Sequence, residues 1–381
     1  MRTDPQTRSI PVPDREAGDA ARARQQQLTK PPGSLGRLEE LACWLAARLR
    51  SPRPAMPHCE IFVFAADHGV AVRGVSAFPQ SVTAQMLGNF ASGGAAINVL
   101  ASLADCRIEV VDVGVAGQGE LPPGIRRENV RPGTRDLSSE AAMTDQELDS
   151  ALSVGERCAR EAVERGARLL IAGDMGIANT TAAACLICAM TGASPELVVG
   201  RGTGLDDPGL ARKRTVVAAA LARANAAFRM SVPAAAGHPP NLSASVARQL
   251  LVQVGGLEIA AMSGFYIEAA RHGVIALLDG YISGAAALTA VTLEPASRSW
   301  MLASHRSAEP GHAIALGALQ LEPLIDMGMR LGEGTGAALC LPILRAALSL
   351  HRNMATFHEA GVAGAVDPDS LSPSAQHGGD V

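Results

Sequence analysis

Beyond residue 58 the chain alternates short, nearly uninterrupted apolar runs with longer alanine-rich stretches in which apolar positions recur every three or four residues. Runs that are apolar throughout read as strands buried on both faces, and the intervening stretches as helices that cover them, so the pattern predicts an α/β fold with a mostly parallel sheet. The strands are expected at 61–66, 108–113, 167–172, 274–278 and 300–303, with 196–199 as a sixth. Helices are expected at 82–103, 145–165, 181–190, 208–227, 243–252, 257–271, 312–319 and 335–351. Turns rich in Gly, Asp or Ser follow the runs, among them Asp67-His68-Gly69, Gly173-Asp174-Met175-Gly176 and Asp279-Gly280. In open parallel sheets ligands gather at these carboxyl ends, which makes polar residues there candidates for function.

Before residue 58 the pattern is different. Ser34 is placed to cap a helix with Leu35, Leu38, Leu41, Ala42, Leu45 and Leu49 on its apolar face and Arg37, Glu39, Glu40, Arg48 and Arg50 in solvent. Three prolines between 51 and 57 end it. The expected division is an N-terminal segment 1–58, an α/β body 59–334, a C-terminal helix 335–359 and a tail 360–381. The tail, rich in Gly, Pro, Ser and Asp, has little to bury and is expected to be disordered.

Composition narrows the partners. Hydrophobic residues are 48% but aromatics only 3%, so the core must be built from Ala, Val, Leu and Ile. A formal net charge of −4 with no basic patch argues against nucleic acid. The uncharged stretches are diluted with Gly, Ala and Thr, so no membrane span is expected, and the polar N-terminus lacks the apolar run of a secretory signal. Seven scattered cysteines do not make a disulfide framework. A cytoplasmic protein with reduced thiols is the expectation.

Three glycine-bearing loops carry the candidate chemistry. The segment from Leu169 to Ala184 reads as strand, loop and helix, with Asn179 or Thr180 as cap; free N–H groups and the helix dipole at Gly176 suit a phosphate, and Thr180 and Thr181 add hydroxyls. An ordinary strand-to-helix turn would look similar, and neither GxGxxG nor GxxxxGK[ST] is present. Gly200-Arg201-Gly202-Thr203-Gly204 adds flexible backbone and a hydroxyl near the same edge, and Lys213 a cation. In Gly332-Glu333-Gly334-Thr335-Gly336, Glu333 is the one strong proton acceptor, unless it serves only to complement a helix dipole. Asp67-His68, His305 and His312 lack the spacing of metal ligands, so no metal or cofactor is expected. Cys185 and Cys188 have CxxC spacing inside an alanine-rich helix and read as core.

Taken together these blocks resemble one family, the nicotinate-nucleotide–dimethylbenzimidazole phosphoribosyltransferases of cobalamin lower-ligand assembly. The resemblance rests on Lys30-Pro31-Pro32-Gly33-Ser34-Leu35-Gly36-Arg37-Leu38-Glu39, Ala66-Asp67-His68-Gly69-Val70, the stretch Val75 to Met86, the Gly173 to Thr181 loop, Gly200 to Gly204 and Gly332 to Gly336, in family order from about Thr29 to about residue 355. It implies transfer of phosphoribose from nicotinate mononucleotide to dimethylbenzimidazole, giving α-ribazole phosphate and nicotinate, without metal or cofactor. Glu333 would be the general base; Gly176, Asn179, Thr180, Thr181, Gly202 and Thr203 would hold the phosphoribosyl end with Lys213 close to the phosphate, Phe78, Ser81, Gln85 and Glu333 would lie near the benzimidazole, and Asp174 would be a further substrate-binding residue of its loop. Many members have Glu where this chain has Asp174. The resemblance further implies a doubly wound α/β domain, a smaller helical domain from both termini, and a homodimer.

Two other readings compete. A binding protein that kept the loops and lost the chemistry is disfavoured by the presence of Glu333. A dinucleotide-dependent oxidoreductase is disfavoured by the missing GxGxxG fingerprint.

Overall fold

The computed structural model describes residues 9–117, 119–228 and 242–363. Six strands, β1 (Cys59–Ala66), β2 (Arg107–Gly114), β3 (Ile125–Arg127), β4 (Leu169–Met175), β5 (Ile275–Leu278) and β6 (Met301–Ala303), form one sheet in the order β3-β2-β1-β4-β5-β6. Every pairing is parallel, from Val110↔Ile125 at one edge to Leu278↔Ala303 at the other. β1 is buried along all eight residues, as its unbroken apolar run requires. Its one charge, Glu60, pairs with Arg165 at 2.6 Å. Phe62, Phe64, Phe265 and Tyr266 concentrate much of the sparse aromatic content beside this strand, with ring centroids 5.1 to 6.2 Å apart.

Helices Asp145–Glu164 and Leu257–Arg271 cross with backbone nearly against backbone. A Cβ on Gly155 would lie 1.7 Å from the Ala261 carbonyl oxygen, and one on Gly264 would lie 2.2 Å from that of Leu152. Gly155→Val is therefore expected to lower stability by about 3 kcal/mol, because the helices would have to separate to admit the side chain. Urea denaturation reads this directly.

Several elements differ from the sequence expectation. The sixth strand is not 196–199, which is the short helix Pro195–Val198 with Pro195 in its first turn, where the missing N–H costs nothing. It is β3, a three-residue edge strand with only Ile125 apolar, too short to register as a pattern. The expected helix 82–103 is two helices, Ser81–Ala91 and Ala96–Ala104, parted by Gly93 at φ +79°. The Asn98 side chain then accepts the Ala95 N–H at 3.2 Å and starts the second. Neither half reaches the ~30 Å of a bilayer core at about 1.5 Å per residue. Helix Tyr281–Leu293 was not expected because it is apolar on every face and gives no 3.6-residue signal.

The chain divides into two compact units. Pro57–Pro342, with residues up to Pro13, make up the unit that holds the sheet. Asp14–Met56 and the described residues from Ile343 onward make up the other. In this second unit Asp14 caps the helix Arg15–Gln25, and Arg24 binds the His351 and Met354 carbonyls at 2.9 Å. The helix Arg37–Arg48 starts at Gly36 with no side-chain cap, so Ser34 does not cap it. Glu39 is not on the solvent face: it is buried, 2.8 Å from Lys30, and accepts the N–H groups of Gly33 and Leu35. The polar face expected there therefore supplies the anchor for the Lys30-Pro31-Pro32-Gly33 turn instead. Residues 364–381 of the tail lie outside the described residues.

Candidate active site

The strands leave β1 in both directions, β2 on one side and β4 on the other, and a crevice opens at the carboxyl ends where the order reverses. A cavity of about 410 Å³ lies there, lined from β4 and the turn after it, the start of helix Tyr281–Leu293, the segment after β6, and the 330–333 loop. Phe78, Val82, Met86, Tyr281, Ile282 and Leu331 make part of the lining apolar; Gly176, Asn179, Thr180, Gly202, Thr203 and Arg330 make another part polar.

The polar part is built around a helix start and two loops. Helix Asn179–Thr191 begins after Ala178, at φ +76°, without a side-chain cap, and its Asn179 and Thr181 N–H groups donate to the Gly176 and Ala178 carbonyls at 3.2 and 2.9 Å. Neither Asn179 nor Thr180 caps this helix as expected; Asn179 instead donates to Asp174 Oδ2 at 2.8 Å. The Gly202 N–H donates to Glu309 Oε1 at 2.8 Å and its carbonyl accepts from Arg330 at 2.6 Å, fixing the 200–204 loop from both sides. Thr203 Oγ1 accepts the Ala77 N–H at 3.0 Å, tying that loop to the segment that carries Phe78. Lys213 is buried behind Thr180, donating to its Oγ1 at 2.7 Å and to the Gly200 carbonyl at 3.3 Å. Burial lowers its pKa to about 8, a shift that Glu309 opposes.

Glu333 stands at φ +62° between Gly332 at +89° and Gly334 at +87°. A non-glycine residue held there costs on the order of 1–3 kcal/mol and persists only where surrounding contacts impose it. Here the Glu333 N–H meets the Asp174 carbonyl at 3.3 Å, and the loop backbone presses on Gly173, where a Cβ would lie 2.1 Å from the Glu333 carbonyl carbon. Asp279, at the end of β5, accepts the N–H groups of Gly334 at 3.1 Å and Ala337 at 3.0 Å. The Glu333 carboxylate is thereby turned into the cavity wall, 5% exposed, with Oε2 lacking a partner among the described residues. Burial raises its pKa to about 7, with a smaller push from Asp279 and an opposing backbone hydrogen bond from Ile97. Asp174 is also pushed well above the usual carboxylate range, first by burial and then by Asp279, which favours its neutral form.

Of the residues singled out from sequence, Phe78, Asp174, Gly176, Asn179, Thr180, Gly202, Thr203 and Glu333 line this one cavity. Thr181 and Lys213 are buried just behind it. Ser81 and Gln85 are exposed and outside the lining; Val82 and Met86, on the inward side of the same helix, line it instead. Sequence reasoning passed over Glu309 and Arg330, which carry no motif, and read His305 only as a metal candidate. His305 lines the cavity, whereas His312 is a buried acceptor for the Ser307 N–H at 2.8 Å, its pKa lowered to about 3 mainly by burial. Cys185 and Cys188 lie in the core, burial pushing the Cys188 thiol up to about 12. Among the described residues no group of three or more His, Cys, Asp or Glu is placed to hold a metal.

Comparison with known proteins adds an independent line. A family model described as a phosphoribosyltransferase matches residues 10–362. The nicotinate-nucleotide–dimethylbenzimidazole phosphoribosyltransferase of Chromobacterium violaceum is 58% identical over 351 residues, covering 92% of this chain and 97% of that protein. That of Xanthomonas campestris pv. campestris strain 8004 is 49% identical over 355 residues, covering 93% and 97%. A crystal structure of the Thermus thermophilus protein of the same name superposes with a TM-score of 0.83 at 47% identity, covering 92% of this chain and all of that one.

Proposed function

The chain belongs to the nicotinate-nucleotide–dimethylbenzimidazole phosphoribosyltransferase family, and from that premise we propose that its 410 Å³ cavity holds nicotinate mononucleotide and dimethylbenzimidazole with Glu333 as the base between them. The protein is a pentosyltransferase that moves phosphoribose from nicotinate mononucleotide to the benzimidazole in cobalamin lower-ligand assembly. Glu333 carries the reading of the site: a buried carboxylate with a pKa of about 7 and one unpaired oxygen, set in the wall of a partly apolar cavity. Such a group is half in its basic form at neutral pH, the condition under which a general base is most effective.

In the proposed reaction the benzimidazole lies against Phe78, Val82 and Met86 with its N–H toward Glu333. The carboxylate takes that proton as the other ring nitrogen attacks the anomeric carbon, and the bond from that carbon to the nicotinate nitrogen breaks. Nicotinate leaves from a quaternised ring, so the electron pair it takes neutralises a positive charge and little acid assistance is required. The phosphate is received at the positive end of helix Asn179–Thr191 and by the Thr203 side chain, while Gly202, its N–H held by Glu309 and its carbonyl by Arg330, shapes the loop around it. Asp174 acts by holding Asn179, a contact its shorter side chain makes at 2.8 Å. The homodimer and the cytoplasmic placement belong to the same reading, and light scattering at twice the chain mass would support the dimer.

Lys213 is proposed to supply positive charge to the phosphate through Thr180. Lys213→Met is expected to raise KM for nicotinate mononucleotide by about 10–100-fold with a smaller change in kcat, as loss of a contact shared by ground and transition states does. In the unaltered protein that affinity should weaken as pH rises through about 8, where the buried ammonium loses its proton; the variant should lack this dependence. Steady-state kinetics between pH 6 and 9 check both.

The function itself is tested by incubating the protein with nicotinate mononucleotide and dimethylbenzimidazole and separating the products by chromatography. Formation of α-ribazole phosphate and nicotinate is expected. Binding of both substrates without product would favour a binding protein on this fold.

A further inference from the structure

Asp279 is held through its backbone N–H and through both carboxylate oxygens. It follows β5, is 1% exposed, and its own N–H donates to Ser283 Oγ at 2.9 Å, a hydroxyl that in turn stands 2.7 Å from the Tyr266 phenol. Its two carboxylate oxygens accept different N–H groups of the catalytic loop, Oδ2 from Gly334 and Oδ1 from Ala337. His305, which lines the cavity, brings Nδ1 to 3.9 Å from Oδ1, and a Cβ on Gly336 would lie 1.9 Å from that same ring nitrogen. The end of β5, the His305 ring and the first turn of helix Thr335–Asn353 are thus packed without slack.

We infer that Asp279 is a positioning residue for the transfer reaction, holding Gly334 and Ala337 so that the loop just before them presents the Glu333 carboxylate to the acceptor base. The inference rests on the reading of Glu333 as the base. A helix cap alone would explain the two hydrogen bonds. It would not explain why the capping carboxylate comes from the end of β5 and not from the loop itself, beside a Glu333 whose φ of +62° the loop has to hold. The other ionisable groups around this point are Asp174 at the end of β4, Glu258 on helix Leu257–Arg271 near Asp174, His305 after β6 and Arg330 at the mouth of the loop. Burial pushes the Asp279 carboxyl up as well, a shift opposed by His305 and by the N–H groups the carboxylate accepts.

The test compares Asp279→Asn, Asp279→Ala and Glu333→Gln in the full chain, with folding checked by circular dichroism and nicotinate mononucleotide binding by calorimetry. Asp279→Asn keeps one acceptor and loses the charge. It should lower kcat by about 10²-fold, the cost of a misplacement near 1 Å, while nicotinate mononucleotide affinity stays within about threefold. Because burial is the main cause of the raised Glu333 pKa, the acid limb should stay near 7, and the loss should appear as a fall in kcat with the KM for nicotinate mononucleotide held, a split that a merely structural role would not produce. Asp279→Ala should lose more, with Asn restoring part of the difference. Unchanged turnover, or loss of turnover and nucleotide binding in equal proportion, overturns the inference. If Asp279→Asn is not recovered folded, Asp279→Ser, whose hydroxyl can accept one of the N–H groups, is read by the same criteria. Wild-type turnover in Glu333→Gln would instead overturn the base assignment, so the two failures are told apart.

Discussion

Replacing Glu333 by Gln lowers turnover with dimethylbenzimidazole by about 10²–10⁴-fold, the range that a positioned general base contributes, while nicotinate mononucleotide still binds. Gln retains the shape and one acceptor oxygen but cannot take a proton, so the change isolates basicity from packing. An uncharged azole attacks poorly until its N–H is polarised; Glu309 and Glu333 both line the cavity with one oxygen unpaired, and Glu333 is the one whose pKa burial raises to about 7, while Glu309 is committed to the Gly202 N–H. In the unaltered protein the rate should climb about tenfold per pH unit below pH 7 and level off above it, because only the carboxylate accepts the proton. The Gln variant should show a flat residual rate. Rapid-quench or steady-state kinetics over pH 5 to 9, with calorimetric titration of nicotinate mononucleotide, measure both. Equal loss of binding and turnover would point to a structural role.

The same substitution should stabilise the fold, and the sign follows from proton binding. Burial raises the Glu333 pKa from 4.5 to about 7, so between these values the folded protein holds a proton that the unfolded chain has released. Stability on this account falls as pH rises above 4.5, and the full penalty of roughly 3 kcal/mol is present above pH 7. Glu333→Gln removes it. The variant should therefore be more stable than the parent at pH 8 and no different at pH 4, a trend visible in urea titrations at the two pH values. Loss of activity together with gain of stability is the signature of a group held in place for chemistry.

The sheet was legible because its strands are buried on both faces: β1, β2, β4, β5 and β6 each coincide with an apolar run bounded by a turn. β3 was not, since an edge strand of three residues with two arginines has no apolar pattern to show. The glycines that mark loops also marked the site, because backbone has to approach backbone closely at a strand end if a short carboxylate arm is to reach a substrate. Glu39 and Asp279 show the limit. Each is an acidic residue whose partners are N–H groups, of Gly33 and Leu35 in one case and of Gly334 and Ala337 in the other. Backbone N–H groups carry no residue identity, so a carboxylate recruited to bind them looks in sequence like any solvated charge. Glu309 was hidden for the same reason, since it holds the Gly202 N–H across 107 residues of chain.

Gly173 tests whether the proximity of β4 to the catalytic loop matters as much as the base itself. It lies within β4, and a Cβ there would meet the Glu333 carbonyl carbon at 2.1 Å, its oxygen at 2.3 Å and the Gly334 nitrogen at 2.3 Å. All three are backbone atoms of a loop already held by Asp279 and by the Asp174 carbonyl, so no side chain can swing away to make room. Gly173→Ala must push the loop outward by the better part of an ångström, or displace the end of β4 and with it Asp174 and the start of helix Asn179–Thr191. Either movement separates Glu333 from the phosphoribosyl end, and a displacement of that size costs about 10²-fold in rate. Overpacking should add about 1–3 kcal/mol of destabilisation. Gly317→Ala, in helix Pro310–Leu319 with open space where the Cβ would go, serves as the control and should leave turnover unchanged while stabilising the helix by up to about 1 kcal/mol. Because neither residue can donate or accept a side-chain proton, a rate loss confined to Gly173→Ala would show that the backbone contact between β4 and the loop is what brings the base to its substrate.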